Sequence, residues 1–186
     1  MSLLGASSLH AVPWKNGLGT TRELAVYPAG ADAESFLWRI SIADVTDAAP
    51  FSSFPGVDRS ITLLEGAGFI MTLDGAGRHA LTTAYAPFAF PGEASVDVAL
   101  AGGASRDFNL MLRRACARGT VEVWEGAGHR HVPGDAVLLH CARGALRVED
   151  TSLGAGDSWL VSTPVQDVDL NDDAVVLAVR VTLLQG

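Results

Sequence analysis

Short apolar runs broken by glycine or proline recur along the chain at intervals of about ten residues, the spacing of a β-sandwich or β-barrel. They mark candidate strands at residues 21–27, 36–45, 60–64, 68–73, 88–90, 95–100, 107–113, 119–125, 136–140, 145–148, 158–162 and 175–183. No window of helical length sustains the apolar period that an amphipathic helix needs. Between the runs, Gly66-Ala67-Gly68, Asp74-Gly75 and Gly126-Ala127-Gly128 supply the positive-φ tolerance that hairpins require. The chain reads as all-β.

Two of these runs separate their faces clearly. In FLWRISIADV, Phe36, Trp38, Ile40 and Ile42 point one way, and Leu37, Arg39, Ser41 and Ala43 the other. In DFNLMLRR, Phe108, Leu110 and Leu112 share a face, opposite Asp107, Asn109, Met111 and Arg113. The large apolar faces are expected in the core. The polar faces admit two readings: a wet outer surface, which an antiparallel sheet tolerates, or the lining of a site.

Composition then narrows the partners. The 186 residues are 48% hydrophobic and 18% charged, the balance of a folded chain. A formal charge of −8 argues against nucleic acid or an anionic membrane as partner. The opening MSLLGASSLHAVPWKN lacks the basic and apolar regions of a signal peptide. No apolar run approaches the ~18 residues of a membrane span, so the expected location is cytoplasmic. Cys116 and Cys141 make neither a disulfide framework nor a metal clip, and are expected as reduced, partly buried thiols. Arginines near each leave a reactive thiolate as the lesser alternative.

A coarse repeat follows. ITLLEGAGFIMTLDG leads to APFAFPGEASVDVAL, and AVLLHCARGALRVED leads to TSLGAGDSWLVSTPVQDVDL. Each copy runs strand, glycine, strand, turn, then a glycine-marked step into further strands. This grammar resembles the cupin pattern, and two copies imply a bicupin, that is, two tandem jelly-roll or cupin-like β-barrels packed together. The expected division is residues 1–113, carrying an entrance loop, and 114–186, with strands shared in one compact unit. Each barrel would open at one mouth that admits a small molecule.

Catalytic cupins hold a metal with paired histidines and a glutamate on the first motif and a further histidine on the second. Counted back from Gly66, the glutamate slot falls on Arg59 and the histidine slots fall near Phe54-Pro55, while the later slot falls near Ser95. A guanidinium has no lone pair to offer a metal and repels it by charge. In the second copy, GHRHVPGD carries His129 and His131, but their spacing to Gly144 does not fit, and the later slot falls near Trp159. They read as solvent-facing residues of a hairpin turn, with metal ligation the lesser alternative. The expectation is a protein with no metal and no cofactor.

Motif order adds a sharper resemblance. PWKNG at residues 13–17, TRE at 21–23, FLWRIS at 36–41, PFSSFPGVDR at 50–59, LLEGAG at 63–68, PFAFPG at 87–92 and DFNLM at 107–111 closely resemble the HutD/Ves family of bicupin-like proteins. The match spans the first two-thirds of the chain; the last third matches in strand grammar only. One departure is Leu18, where the family often has the middle of three glycines. The resemblance implies a protein linked to bacterial histidine utilisation, which binds a small acidic metabolite such as formylglutamate and acts as a regulator or sensor.

The residues can be asked whether they suit such a guest. Two carboxylates and a formamide need guanidinium forks or an ammonium, plus neutral donors and acceptors. Arg39 and Arg59 would supply the forks, Lys15 a mobile charge, and Asn16, Ser41 and Asn109 the neutral contacts. Trp14 and Phe54 would wall the site, and Asp58 and Asp107 would hold the arginines. The PWKNG stretch would then be an entrance loop; otherwise Trp14 caps the barrel and Lys15 is merely solvated.

Two other classes stay open. A metal-independent cupin-type isomerase or epimerase would use Lys15 or Glu23 near Tyr27 as acid–base groups, though no His–carboxylate dyad or phosphate-gripping loop is present. A pure interaction protein would need an exposed apolar patch. The partner expected is a small anionic metabolite, and a homodimer is compatible with this reading.

Overall fold

Strand follows strand along the chain as the apolar pattern predicts, and no α-helix forms among the described residues, 3–14, 16–161 and 167–185 of the computed structural model. Lys15, and Ser162 at the end of one expected strand, lie outside these residues. After β1 (Leu3–Leu4) and a short 3-10 turn (Ala6–Ser8) come β2 (Val12–Pro13), β3 (Gly19–Tyr27), β4 (Trp38–Val45), β5 (Val57–Gly66) and β6 (Phe69–Leu73). Next are β7 (Gly77–Leu81), β8 (Phe88–Pro91), β9 (Val96–Leu100), β10 (Ser105–Arg113), β11 (Ala117–Glu125) and β12 (Gly128–His131). The chain ends with β13 (Ala136–Arg143), β14 (Ala145–Val148), β15 (Thr151–Gly154), β16 (Ser158–Leu160), β17 (Asp167–Leu170) and β18 (Val175–Leu183).

Two units divide these strands: His10–Arg118 with Leu184–Gly186, and Met1–Leu9 with Gly119–Leu183. The first nine residues group with the later unit because β1 pairs with β16, Leu3 opposite Trp159 and Leu4 opposite Ser158.

The His10–Arg118 unit has a six-stranded sheet in the order β2-β3-β4-β10-β5-β8 and a three-stranded sheet in the order β7-β6-β9. Ile61, Leu63, Phe69, Met71, Leu81 and Val96 form its apolar core, each at most 1% exposed. Burying such a side chain contributes roughly 1.5–3 kcal/mol before the ordering entropy is charged against it. Register in the larger sheet builds three rows of side chains on one face. Arg39, Met111 and Arg59 lie opposite one another on β4, β10 and β5; Ser41, Asn109 and Ile61 form the next row, and Ala43, Asp107 and Leu63 the third.

The other unit carries a five-stranded sheet in the order β1-β16-β13-β18-β11 and a four-stranded sheet in the order β12-β17-β14-β15. Leu139, Cys141, Leu146, Val148, Leu153 and Val176 fill its core. Burial pushes the Cys141 thiol up to about 11, so it is an inert core group and not a reactive thiolate.

GHRHVPGD departs from the hairpin-turn expectation, because His129 and His131 lie on strand β12. They stand opposite Asp169 and Asp167 of β17, with His129 Nδ1 2.9 Å from Asp169 Oδ1 and His131 Nδ1 3.3 Å from Asp167 Oδ1. GHRH has no apolar residue to signal β12, whereas β17 alternates Asp167 and Asp169 with the buried Val168 and Leu170. Both histidines are exposed.

Candidate functional site

The three-row face lines a cavity of about 660 Å³ in the His10–Arg118 unit. Arg39, Ser41, Ala43 and Val45 reach it from β4, Asp107, Asn109 and Met111 from β10, and Arg59 from β5. Trp14 and Asn16 close it from the segment leading into β3, Thr21 from β3 itself, and Phe51, Ser52 and Phe54 from the segment before β5. With β10 between their strands, the Cα atoms of Arg39 and Arg59 stand about 10 Å apart across the sheet. Two guanidinium groups therefore serve one hollow from opposite sides.

Arg59 is the more enclosed of the two. Its guanidinium carbon lies 4.9 Å from the centre of the Phe90 ring, 5.1 Å from Phe51 and 5.7 Å from Phe54. The π faces favour the cation, but they offer no acceptor. Nη1 reaches Ser52 O at 3.5 Å and Nη2 reaches Asn109 Oδ1 at 3.4 Å, both at the long limit of a hydrogen bond. Nε is buried with no partner among the described residues. Burial lowers this group to about 10, opposed by the charge of Asp107. Arg59 remains cationic at neutral pH and lacks the bidentate carboxylate that such a group ordinarily finds.

Arg39 is held differently. Its Nε donates to Glu23 Oε2 at 2.7 Å, from β3 alongside. That bond fixes the fork and leaves its terminal amino groups for another acceptor.

Asp107 is 1% exposed. Its Oδ1 accepts a hydrogen bond from Asn109 Nδ2, while its Oδ2 is buried without a partner among the described residues. Burial pushes the carboxyl up to about 7, with the nearby Asp44 adding to the rise and the Asn109 N–H and Arg59 charge opposing it. Among the described residues it makes no salt bridge.

The PWKNG stretch owes its shape to a tight turn and an aromatic lid. Trp14 N–H donates to Gly19 O at 2.9 Å, Gly17 N–H to Trp14 O at 3.0 Å, and Trp14 Nε1 to Thr21 Oγ1 at 2.8 Å. Asn16 Oδ1 accepts from Leu18 N–H at 3.1 Å. A Cβ at Gly19 would fall 2.5 Å from Asp44 O and 2.9 Å from the Trp14 ring, so glycine is what lets the indole lie against β3 and β4. The close backbone approach in this stretch is thus at Gly19, and the side chain at Leu18 is accommodated. Phe54 is fixed likewise: its N–H donates to Gly92 O at 2.7 Å, and a Cβ at Gly92 would lie 2.7 Å from Phe54 O.

Of the ten residues anticipated for the site, Trp14, Asn16, Arg39, Ser41, Phe54, Arg59, Asp107 and Asn109 line this one cavity. Lys15 lies outside the described residues. Asp58 does not line it: successive strand residues point to opposite faces, and Asp58 instead accepts from Arg114 Nε at 2.7 Å. Nor does Asp107 hold an arginine directly, since Asn109 stands between it and Arg59. Arg113, on the polar face of the sequence pattern, bonds to the Phe36 and Glu34 carbonyls and does not line the hollow. Reading residue by residue put Met111 on the polar face without placing it in the site, and missed Thr21 and the Glu23 clamp, whose signal is cross-strand register, legible only once the strands are paired.

A metal does not fit this lining. Among the described residues it offers one carboxylate, no imidazole and two guanidinium groups. Among the described residues no group of three or more His, Cys, Asp or Glu side chains is arranged to hold a metal ion.

Two antiparallel-sheet units, one enclosing a cationic polar hollow, define a bicupin. The Cupin 2 conserved barrel domain protein from Leptotrichia buccalis has the same fold, with a TM-score of 0.61 over 92% of both chains at 8% identity. Within that class the chain belongs to the HutD family, whose model matches residues 6–178. It is similar to HutD from Pseudomonas fluorescens SBW25, solved in a formate condition, at 31% identity over 99% of both chains with a TM-score of 0.85. An uncharacterised 21.2 kDa protein in the hutC 3′ region of Pseudomonas putida is 36% identical over 148 residues, 80% of this chain and 77% of that one. Protein Ves of Cronobacter sakazakii is 44% identical over 111 residues, 59% of each chain. Among the described residues, no helix is long and apolar enough to cross a membrane.

Proposed function

We propose that this chain binds a small acidic metabolite of histidine breakdown, such as formylglutamate, in the Arg39–Arg59 cavity, and through that occupancy regulates or senses histidine utilisation. The observation that carries the reading is the state of Arg59: a charged, largely enclosed guanidinium facing a hollow with a buried, unpartnered Nε and only marginal acceptors elsewhere. A carboxylate would supply the two parallel acceptors that the fork lacks. Low-dielectric walls of Phe51, Phe54, Phe90 and Trp14 strengthen that contact beyond its value in water. Arg39, fixed by Glu23, takes the second carboxylate of a dicarboxylic guest. Ser41, Asn16 and Asn109 then face the neutral middle. The hutC-region location of the Pseudomonas putida relative supports the link to histidine utilisation.

Thermal shift against a panel of histidine, urocanate, glutamate, glutarate and formylglutamate tests this. A guest at a hundred times its Kd stabilises by about 2.7 kcal/mol, which is several degrees of Tm for a chain of this size. Arg59→Ala, still folded by circular dichroism, loses the shift. A panel that leaves Tm unmoved, or a shift that survives Arg59→Ala, contradicts the reading. Turnover of any panel member followed by NMR replaces binding with catalysis.

A further inference from the structure

The cavity holds two kinds of unsatisfied group, and only one kind is explained by an acidic guest. Guanidinium donors ask for a carboxylate. Asp107 asks for the opposite. It lines the same cavity, is 1% exposed, and has one oxygen occupied and the other without a partner. A buried acceptor left unpaired costs about 1–3 kcal/mol, and none of the described residues meets it. Asn109 cannot turn to help: its Oδ1 accepts from Arg59 Nη2 and its Nδ2 already donates to Asp107 Oδ1. Among the described residues, the charged groups around Asp107 are Arg59 on β5 and Asp44 on β4, and neither forms an ion pair with it. A simple dicarboxylate would set negative charge beside this carboxyl and leave its acceptor unmet.

We infer that Asp107 reads an N–H donor carried by the guest next to its carboxylate, so that the cavity selects acids derived from amino acids, N-acylated or free, over plain carboxylic acids of equal length. The inference rests on the binding reading above and adds its specificity. Arg59 and Arg39 would take the carboxylates, while the guest's N–H donates to Asp107 Oδ2. Burial holds the empty carboxyl near neutrality's edge, at about 7, so a donor from the guest readily tips it to the ionised, accepting form. A site built around such a hydrogen bond rejects analogues that lack it far more strongly than shape alone would. Asp107 is thereby a specificity-determining residue.

Isothermal titration with three matched probes tests it: N-formylglutamate, the ester in which its N–H is replaced by oxygen, and glutarate. The wild-type protein binds N-formylglutamate at least tenfold more tightly than the ester or glutarate. Asp107→Asn keeps the shape but presents an amide donor where the free acceptor stood, because Asn109 still claims the carbonyl oxygen. Its preference for N–H over ester then falls to parity or reverses. Equal binding of N-formylglutamate and ester by the wild type overturns the inference, as does an unchanged preference in Asp107→Asn. In either case the binding reading stands if Arg59→Ala abolishes all three. Failure of every probe to bind the wild type sinks both together.

Discussion

Replacing Asp107 by asparagine should make the empty protein more stable, and the gain should depend on pH. In the unfolded chain this carboxyl ionises at its ordinary 3.8, whereas in the fold burial holds the proton until about 7. The native state therefore binds the proton that the unfolded state has released, and stability falls as pH rises from about 4 to about 7. Over that whole range the loss is roughly 4 kcal/mol, and between pH 5 and pH 8 it is roughly 3 kcal/mol. Asparagine has the same shape, keeps an acceptor for Asn109 and has no charge to bury. Arg59, lowered only to about 10, stays charged across the window and does not distort the comparison. Urea unfolding of both proteins at pH 5 and pH 8 isolates the effect, because every other titrating group cancels in the difference. The advantage of Asp107→Asn should grow by about 2–3 kcal/mol between the two pH values. An equal advantage at both, or a variant weaker than wild type at pH 8, would refute the argument that Asp107 is buried at a cost. A group that costs stability in the empty protein is the kind that binding sites retain.

Further predictions concern the frame around the hollow. Gly92→Ala drives a Cβ into the Phe54 and Val57 carbonyls at 2.7 and 2.8 Å, and chemical denaturation should record a loss of about 1–3 kcal/mol. Phe90→Ala removes a 5%-exposed core ring and one wall of the Arg59 enclosure; it should cost about 3–5 kcal/mol of stability and weaken acid binding measured at a temperature where the variant is folded. Glu23→Gln leaves Arg39 without its charged clamp, so dicarboxylates should weaken severalfold by titration while monocarboxylates change little. Trp14→Phe deletes the bond to Thr21 and part of the ring packed on the core, and should cost about 1–3 kcal/mol in denaturant unfolding.

Much of this cavity was legible before any strand was paired, and the reason is the period of two. Once FLWRIS and DFNLM are read as strands, Arg39 must share a face with Ser41, and Asp107 with Asn109 and Met111. What one strand cannot say is which of its faces turns inward; Ile40, Ile42, Phe108 and Leu110 on the opposite side are buried as well. The same rule, applied to β5, separates Asp58 from Arg59. Their adjacency in VDR invited a pairing, but Asp58 holds Arg114, 56 positions away. Likewise Glu23 meets Arg39 across 16 positions because β3 and β4 are neighbours, a fact of topology and not of local pattern. Strand β12 went unseen because GHRH has no apolar residue to alternate; β17 does alternate, with Val168 and Leu170 buried between Asp167 and Asp169, but the run is only four residues long.

The most direct test of an acid-binding cavity is a crystal structure of the protein with whichever panel acid gives the largest thermal shift. Density for a carboxylate seated on the Arg59 guanidinium, inside the ring of Phe51, Phe54 and Phe90 and within reach of Arg39, is the predicted result. An empty hollow with the acid bound elsewhere, or a metal ion at that position, would contradict it.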